Sequence, residues 1–241
     1  GIGVAAFHPE AARMANYAAG EKKGTGMSIF SLGGNIGFAL GPILATPAML
    51  WFGLKGSFVL AIPAIIMFSI MLLQMNSFAK NHILPETKKV QIDPTKKDEW
   101  GKFTWLTLAI ISRSIIFVSL NTFLPLYWIN VLHQSEAAGG TVLTIMFVTG
   151  AISTYLGGML ADRIGTNNIV RIGYVLLIPC LYLLTATKDT QLATLLLFPL
   201  AFSLFSISSP MVLLGQKYLP NKIGFASGIT LGLALSVGGL L

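Results

Sequence analysis

Apolar residues run for twenty or more positions at a time along this chain, and the polar residues collect between the runs. Stretches at 26–50, 56–78, 103–127, 140–161, 168–187 and 191–214 each reach the roughly 20 helical residues that cross a hydrocarbon core of about 30 Å. They do not alternate at period two and are too long for barrel strands, so helices are the one arrangement that satisfies their backbone in lipid. Residues 1–17 resemble the latter part of a further span, and 223–241 the beginning of another. The pattern predicts an all-α membrane protein and a chain that is a fragment of a longer one.

Composition narrows the picture further. Hydrophobic residues make up 54% of the chain and charged residues 10%, with a mean hydropathy of +0.74, which excludes an ordinary soluble domain. The single cysteine, Cys180, excludes an internal disulfide and any cysteine-rich metal site, and is expected to serve packing. The longest polar segment, 80–102, carries Pro85, Pro94 and mixed charges and has no apolar face with which to pack. It divides the chain into a partial bundle at 1–79, a linker at 80–102 and a second partial bundle at 103–241.

Charge then sets orientation. Lys22, Lys23, Lys80, Lys88, Lys89, Lys96, Lys97, Lys102, Arg163, Arg171, Lys217 and Lys222 fall on one side, Lys55 and Lys188 on the other, and Arg13 and Arg113 within spans. Basic residues in short loops stay cytoplasmic. Topology therefore explains the net charge of +7, and these scattered lysines are not a nucleic-acid patch.

The turn Gly157-Gly158-Met159-Leu160-Ala161-Asp162-Arg163-Ile164-Gly165 supplies the first motif. Its pattern, Gly158-x-x-x-Asp162-Arg163-x-Gly165, resembles the cytoplasmic loop between the second and third helix of each half in the major facilitator superfamily. There the long linker joins helices six and seven. The resemblance implies a major facilitator fold in which this chain runs from within helix four to within helix eleven of a twelve-helix transporter. Thr166-Asn167-Asn168 stands where family members commonly add basic residues, and Arg171 is the nearest substitute. Asp162 and Arg163 are expected to latch neighbouring helix ends, with Gly158 and Gly165 permitting their approach.

A loose internal repeat fits that register. Pro9 and Gly24 correspond to Pro210 and Gly224, and Lys22-Lys23-Gly24-Thr25-Gly26 to Asn221-Lys222-Ile223-Gly224-Phe225. An offset of about 200 residues is what halves related in parallel would give, pairing helix four with helix ten. In helix five, glycines at 33, 37 and 41 fall on one face, and Pro42 weakens the next turn. Gly37-x-x-x-Gly41-Pro42 resembles the helix-five motif of drug:proton antiporters, with Ser28 in place of its first glycine and Ala45-Thr46 in place of its final pair. Helix packing is the other reading.

With Phe7-His8-Pro9-Glu10-Ala11-Ala12-Arg13, Ser112-Arg113-Ser114, Ser119-Leu120-Asn121 and Gly215-Gln216-Lys217-Tyr218-Leu219-Pro220, the chain is similar to the fosmidomycin resistance protein family over nearly its whole length. The resemblance implies proton-driven export of a small drug or metabolite across the inner membrane of a bacterium by a multi-pass protein. Expected partners are a small-molecule cargo, protons and the bilayer. No nucleic acid, cofactor or metal is expected, and the full-length protein is expected to act as a monomer.

Ionisable groups inside a membrane are costly and mark pathways. Glu10 is the one carboxylate within a span and the candidate proton carrier, with His8 a candidate relay. Glu10 and Arg13, three residues apart, share a helical face, so mutual neutralisation is the plainer reading. His8 lies roughly 200° around the helix from Glu10, and satisfaction by a neighbouring helix is the plainer reading of it. Arg113 sits about 16 Å beyond Lys102 along its helix, near mid-membrane. In the family architecture Glu10, Arg113, Asn121 and Ser209 would face one central chamber, where a guanidinium can hold a phosphonate or carboxylate. A salt bridge to a carboxylate elsewhere in the full protein is the other reading of Arg113.

Pro125, Pro179, Pro199 and Pro210 would permit bending, and Trp51, Trp105, Tyr127 and Trp128 fit interface anchors. Three alternatives stand beside export: an uptake facilitator for organic anions or sugars, an intramembrane enzyme using His8 and Glu10, and a receptor. One histidine and one carboxylate on different helix faces make neither a metal site nor a triad, so the chain is not expected to be an enzyme.

Overall fold

The computed structural model describes residues 2–80 and 97–236. Among them the elements in order are α1 (Ile2–Ala18), α2 (Lys23–Phe52), a 3₁₀ segment (Gly53–Leu60), α3 (Ala61–Lys80), α4 (Trp100–Asn130), α5 (Glu136–Ile164), α6 (Thr166–Ala186), α7 (Thr190–Phe205), α8 (Ser208–Tyr218), a 3₁₀ turn (Pro220–Lys222) and α9 (Ile223–Ser236), with no strand. In the register expected above, α1 is helix four, α2 helix five, α7 with α8 helix ten, and α9 helix eleven. Five segments among the described residues are long and apolar enough to cross a membrane: Lys55–Gln74, Trp100–Asn130, Glu136–Ile164, Thr166–Ala186 and Thr190–Tyr218.

The chain forms two compact units, Leu32–Lys89 and the remainder, Gly1–Ser31 with Val90–Leu241. In the smaller unit Gly53 takes a positive φ of 60° where α2 gives way to the 3₁₀ segment. The helix there begins at Ala61 rather than at the expected 56. Ile62, Ile65, Ile66 and Phe68 of α3 are all exposed, an outward apolar surface suited to lipid.

The larger unit is built around α7. Leu197, Leu200, Ala201 and Leu204 are fully buried, and α5 and α6 pack on either side. Local chemistry starts these helices. The Ser135 hydroxyl accepts from the Ala138 amide at the head of α5, and the Asp189 carboxylate accepts from the Gln191 and Leu192 amides at the head of α7, each satisfying donors the helix cannot. Val175, Ile178 and Tyr182 are among the most exposed residues of α6. Spaced at three and four, they make one lipid-facing stripe opposite buried Gly173, Leu177, Cys180 and Leu184.

The expected span at 191–214 is two helices. Pro210 has no amide hydrogen to donate to the Ser206 carbonyl, and its ring crowds that carbonyl. The chain breaks at Ser206 and Ile207, then continues as α8 to Tyr218.

Hydrogen bonds sort the loops of the larger unit to two ends. At one end the Glu99 amide donates to Tyr218, the Asn221 amide to Asp98, and Lys222 lies 4.9 Å over the Trp100 ring. At the other, the Tyr127 hydroxyl shares its one proton between the Leu184 and Thr187 carbonyls and Gln134 donates to Thr190. Lys23, Lys102, Arg163, Lys217 and Lys222 belong to the first, basic end.

Candidate functional site

At the basic end lies the turn that the sequence singles out. Asp162, in the last turn of α5, accepts hydrogen bonds from the Gly24 amide at 2.7 Å, the Thr25 amide at 2.8 Å and the Thr25 hydroxyl at 2.7 Å. Two of these donors are orphan amides of the first turn of α2, so the carboxylate caps that helix from a distant part of the chain and meets the positive end of its dipole. Gly158, one turn earlier on the same face, permits the approach: a Cβ there would come under 3.0 Å from the Gly24 carbonyl and from Ser28. Ser28, the residue that departs from the helix-five glycine pattern, is thus the side chain against the motif glycine.

Gly157 serves the opposite side of α5. A Cβ on it would stand under 3.0 Å from the Ser206 backbone, where α7 breaks into α8. The two adjacent glycines let one helix touch α2 and the α7–α8 break together. Gly165 has φ +92°, turns the chain from α5 to α6, and donates its amide to Ala161. Arg163 is exposed and, among the described residues, makes no ion pair, so the latch is made by Asp162 alone.

A second set of polar contacts lies within the bundle. Asn16 on α1 donates to Gln216 on α8, and Gln216 donates at 2.9 Å to Ser227 on α9. Gln216 is 4% exposed and Ser227 fully buried. Ser209 is fully buried and donates at 3.1 Å to Ser31 on α2.

Arg113 projects from α4 to the α7–α8 break. Its Nε donates at 2.9 Å to the Leu204 carbonyl and its Nη2 at 2.5 Å to the Ser208 hydroxyl. Only 9% of the residue is exposed, and among the described residues no carboxylate pairs with it. Ser206, on the break itself, is buried with an Oγ that has no hydrogen-bond partner. A buried cation held by a carbonyl and a hydroxyl alone is a setting that favours an added oxyanion.

The other expected residues are placed apart. Arg13 donates to Glu10 at 2.5 Å, as the spacing predicts, but the Glu10 side chain is 53% exposed rather than buried. The His8 ring meets Phe7 edge-on. Asn121 donates to the Phe117 carbonyl one turn earlier, two turns beyond Arg113. Gly37 has open space where a Cβ would stand, whereas the surroundings of Gly41 and Pro42 lie outside the described residues. Asn16, Thr25 and Ser208 were not singled out by sequence. Nothing local distinguishes them, because each acts through a partner that another helix brings.

Long apolar helices with lipid-facing stripes mark a multi-pass membrane protein. The chain belongs to the Major Facilitator Superfamily, whose model matches residues 1–241. It is 28% identical over 253 residues to the uncharacterized MFS-type transporter YfnC of Bacillus subtilis (strain 168), covering all of this chain and 60% of that protein. It is also 28% identical over 244 residues to the fosmidomycin resistance protein of Escherichia coli (strain K12), again all of this chain and 60% of the relative. A citrate-proton symporter of Salmonella typhi matches at 26% over 216 residues, with 85% of this chain and 49% of the symporter covered. The chain thus spans about 60% of the length of the first two relatives.

Proposed function

We propose that the full-length protein is a proton-coupled antiporter that exports a small anionic drug or metabolite, with fosmidomycin a candidate cargo. The observation that carries the anionic cargo is Arg113: a buried guanidinium with no ion pair among the described residues, bonded to the Leu204 carbonyl and the Ser208 hydroxyl. A cargo phosphonate or carboxylate would replace those neutral acceptors with a charge-assisted pair. Asn121 and Ser209 would line the path above and below. The similarity to the fosmidomycin resistance protein supports export of such a cargo.

Alternating access by rocking of the two halves accounts for the contacts at the basic end. In this reading the bonds of Asp162 to Gly24 and Thr25 hold the cytoplasmic side shut, and Gly158, Gly165, Gly37, Gly41 and Pro42 allow helices to meet and part. Glu10 is the proposed proton carrier, with His8 as relay. To take a proton, Glu10 must first leave Arg13.

The test uses the full-length chain in inside-out vesicles with a proton gradient and fosmidomycin. Arg113→Lys keeps a charge but loses the planar fork. It should weaken apparent affinity for the anion roughly 10-fold or more, given about 1.5–3 kcal/mol for a charged hydrogen bond. Unchanged affinity removes Arg113 from the cargo site. Glu10→Gln should leave cargo counterflow intact while abolishing its drive by the gradient; normal coupling in that variant rejects Glu10. The match to a citrate-proton symporter favours uptake of an organic anion as the second reading. The direction of proton-linked flux decides between the two.

A further inference from the structure

The ends of α1, α2 and α9 surround a cavity of about 290 Å³ at the basic end. Arg13, Asn16, Tyr17 and Gly20 form one wall, Lys23 at the head of α2 a second, and Ile223 at the head of α9 a third. The first four recur at the helical spacing of three and four, so a single face of α1 and the turn after it lines the space. Gly20 turns the chain there with φ +56° and has open space where a Cβ would stand. The volume lies at the small end of the roughly 300–1,000 Å³ of ligand pockets. It suits a small polar group.

The lining carries two positive charges and no negative one. Arg13 gives Nε and Nη2 to one oxygen of Glu10, and among the described residues nothing takes its Nη1. Lys23 is exposed and, among the described residues, makes no ion pair. Asn16 gives one amide hydrogen to Gln216 and keeps the second. The carboxylates nearby are engaged elsewhere: Glu10 holds Arg13, and Asp162 holds the Gly24 and Thr25 amides. Neither lines the cavity. Ile223 opens α9, so the positive end of that helix's dipole adds to the same field.

We propose that this cavity binds a phosphate group, held by Arg13 and Lys23, at a site that shares no residue with the cargo site proposed at Arg113. The guanidinium and the ammonium stand on different helices, and a tetrahedral oxyanion presents acceptors in several directions at once. A planar carboxylate would be satisfied by the guanidinium fork alone. Two sources supply the same chemistry at this end of the protein: the phosphate of an anionic lipid headgroup and a phosphate compound in solution. Either one, bound to this arrangement of α1, α2 and α9, stabilises it by mass action. The site does not depend on what the protein transports.

The test follows thermal unfolding of the full-length protein in a detergent that carries no phosphate. Inorganic phosphate, acetate at matched ionic strength, and phosphatidylglycerol in mixed micelles are added in separate arms. Phosphate or phosphatidylglycerol near saturation should raise the melting temperature of the parent by roughly 3–10 °C. Lys23→Gln should lose at least half of that rise and Lys23→Arg should keep it. Lys188→Gln, which removes an exposed charge at the opposite end, should keep it too. Phosphate also stabilises proteins by exclusion from their surface, but that effect acts on every variant alike, so the reading is the difference between Lys23→Gln and Lys188→Gln. A difference in the phosphate arm makes the ligand a soluble phosphate, and one in the phosphatidylglycerol arm makes it a lipid headgroup. No difference in either arm overturns the proposal, as does an equal rise with acetate. A rise that Lys23→Gln keeps and Arg113→Lys loses puts the phosphate in the cargo site and overturns it as well. No arm measures flux, so failure of fosmidomycin export would reject the cargo reading without touching this result.

Discussion

Replacing Gly157 with alanine should lower the melting temperature of the detergent-solubilised protein by roughly 5–10 °C, as followed by thermal unfolding. The added methyl would stand under 3.0 Å from the Ser206 carbonyl oxygen, Cα and carbonyl carbon. All three are main-chain atoms, so no side-chain rotation relieves the overlap. Separating α5 from the α7–α8 break would also loosen the Gly150 contact with Phe205. Overpacking of this kind costs about 1–3 kcal/mol, and a domain of this size loses about 2–4 °C per kcal/mol. Gly140 on the same helix has open space at its Cβ position, and Gly140→Ala should be neutral or stabilising by up to about 1 kcal/mol. If both substitutions behave alike, the contact between α5 and the helix break is not as described.

Asp162→Ala should slow transport by roughly 5- to 30-fold at equal membrane abundance. The substitution removes three acceptor contacts to Gly24 and Thr25 and leaves the first turn of α2 uncapped. Because Asp162 is exposed, water replaces part of what is lost, and about 1–2 kcal/mol is a reasonable net value, which converts to that range of rates. Asp162→Asn keeps an acceptor but loses the charge and should fall between the parent and alanine. Arg163→Ala, at an exposed site with no ion pair among the described residues, should be within twofold of the parent. Full transport by Asp162→Ala in reconstituted vesicles would remove the cap from the gate.

The sequence makes the spans legible because burial in lipid leaves only long apolar helices as an outcome. It also groups the basic residues, of which Lys23, Lys102, Lys217 and Lys222 lie at one end with Asp162. The break at Ser206 was less visible. Of the four prolines expected to permit bending, Pro125, Pro179 and Pro199 leave their helices continuous while the chain breaks ahead of Pro210. What differs at 210 is context: Arg113 supplies a donor to Leu204, and Gly157 leaves room for the displaced Ser206 backbone. Neither partner is near in sequence.

The candidate site divides on the same line. Asp162 could be picked out by its motif, but its donors could not be assigned, since Gly24 and Thr25 lie 138 and 137 residues away. Glu10 and Arg13 could be paired by helical spacing, yet spacing says nothing of exposure, and Glu10 proves half open. Gln216 stood in a family-like string with no role attached. Its contact with Asn16, 200 residues away, appears only when the helices pack.

The length of α5 places Asp162 in a particular medium. Its 29 residues rise about 43 Å, well beyond a hydrocarbon core of about 30 Å, and Asp162 occupies its final turn. The carboxylate therefore works among lipid headgroups and mobile ions, where charges are screened over about 8 Å at physiological ionic strength. Arg113 lies roughly 20 Å into α4, beyond the reach of that ionic atmosphere. Raising salt on the basic side should accordingly weaken the grip on α2 while leaving the guanidinium's hold on Leu204 and Ser208 intact, so ionic strength becomes a control that separates the proposed gate from the proposed cargo site.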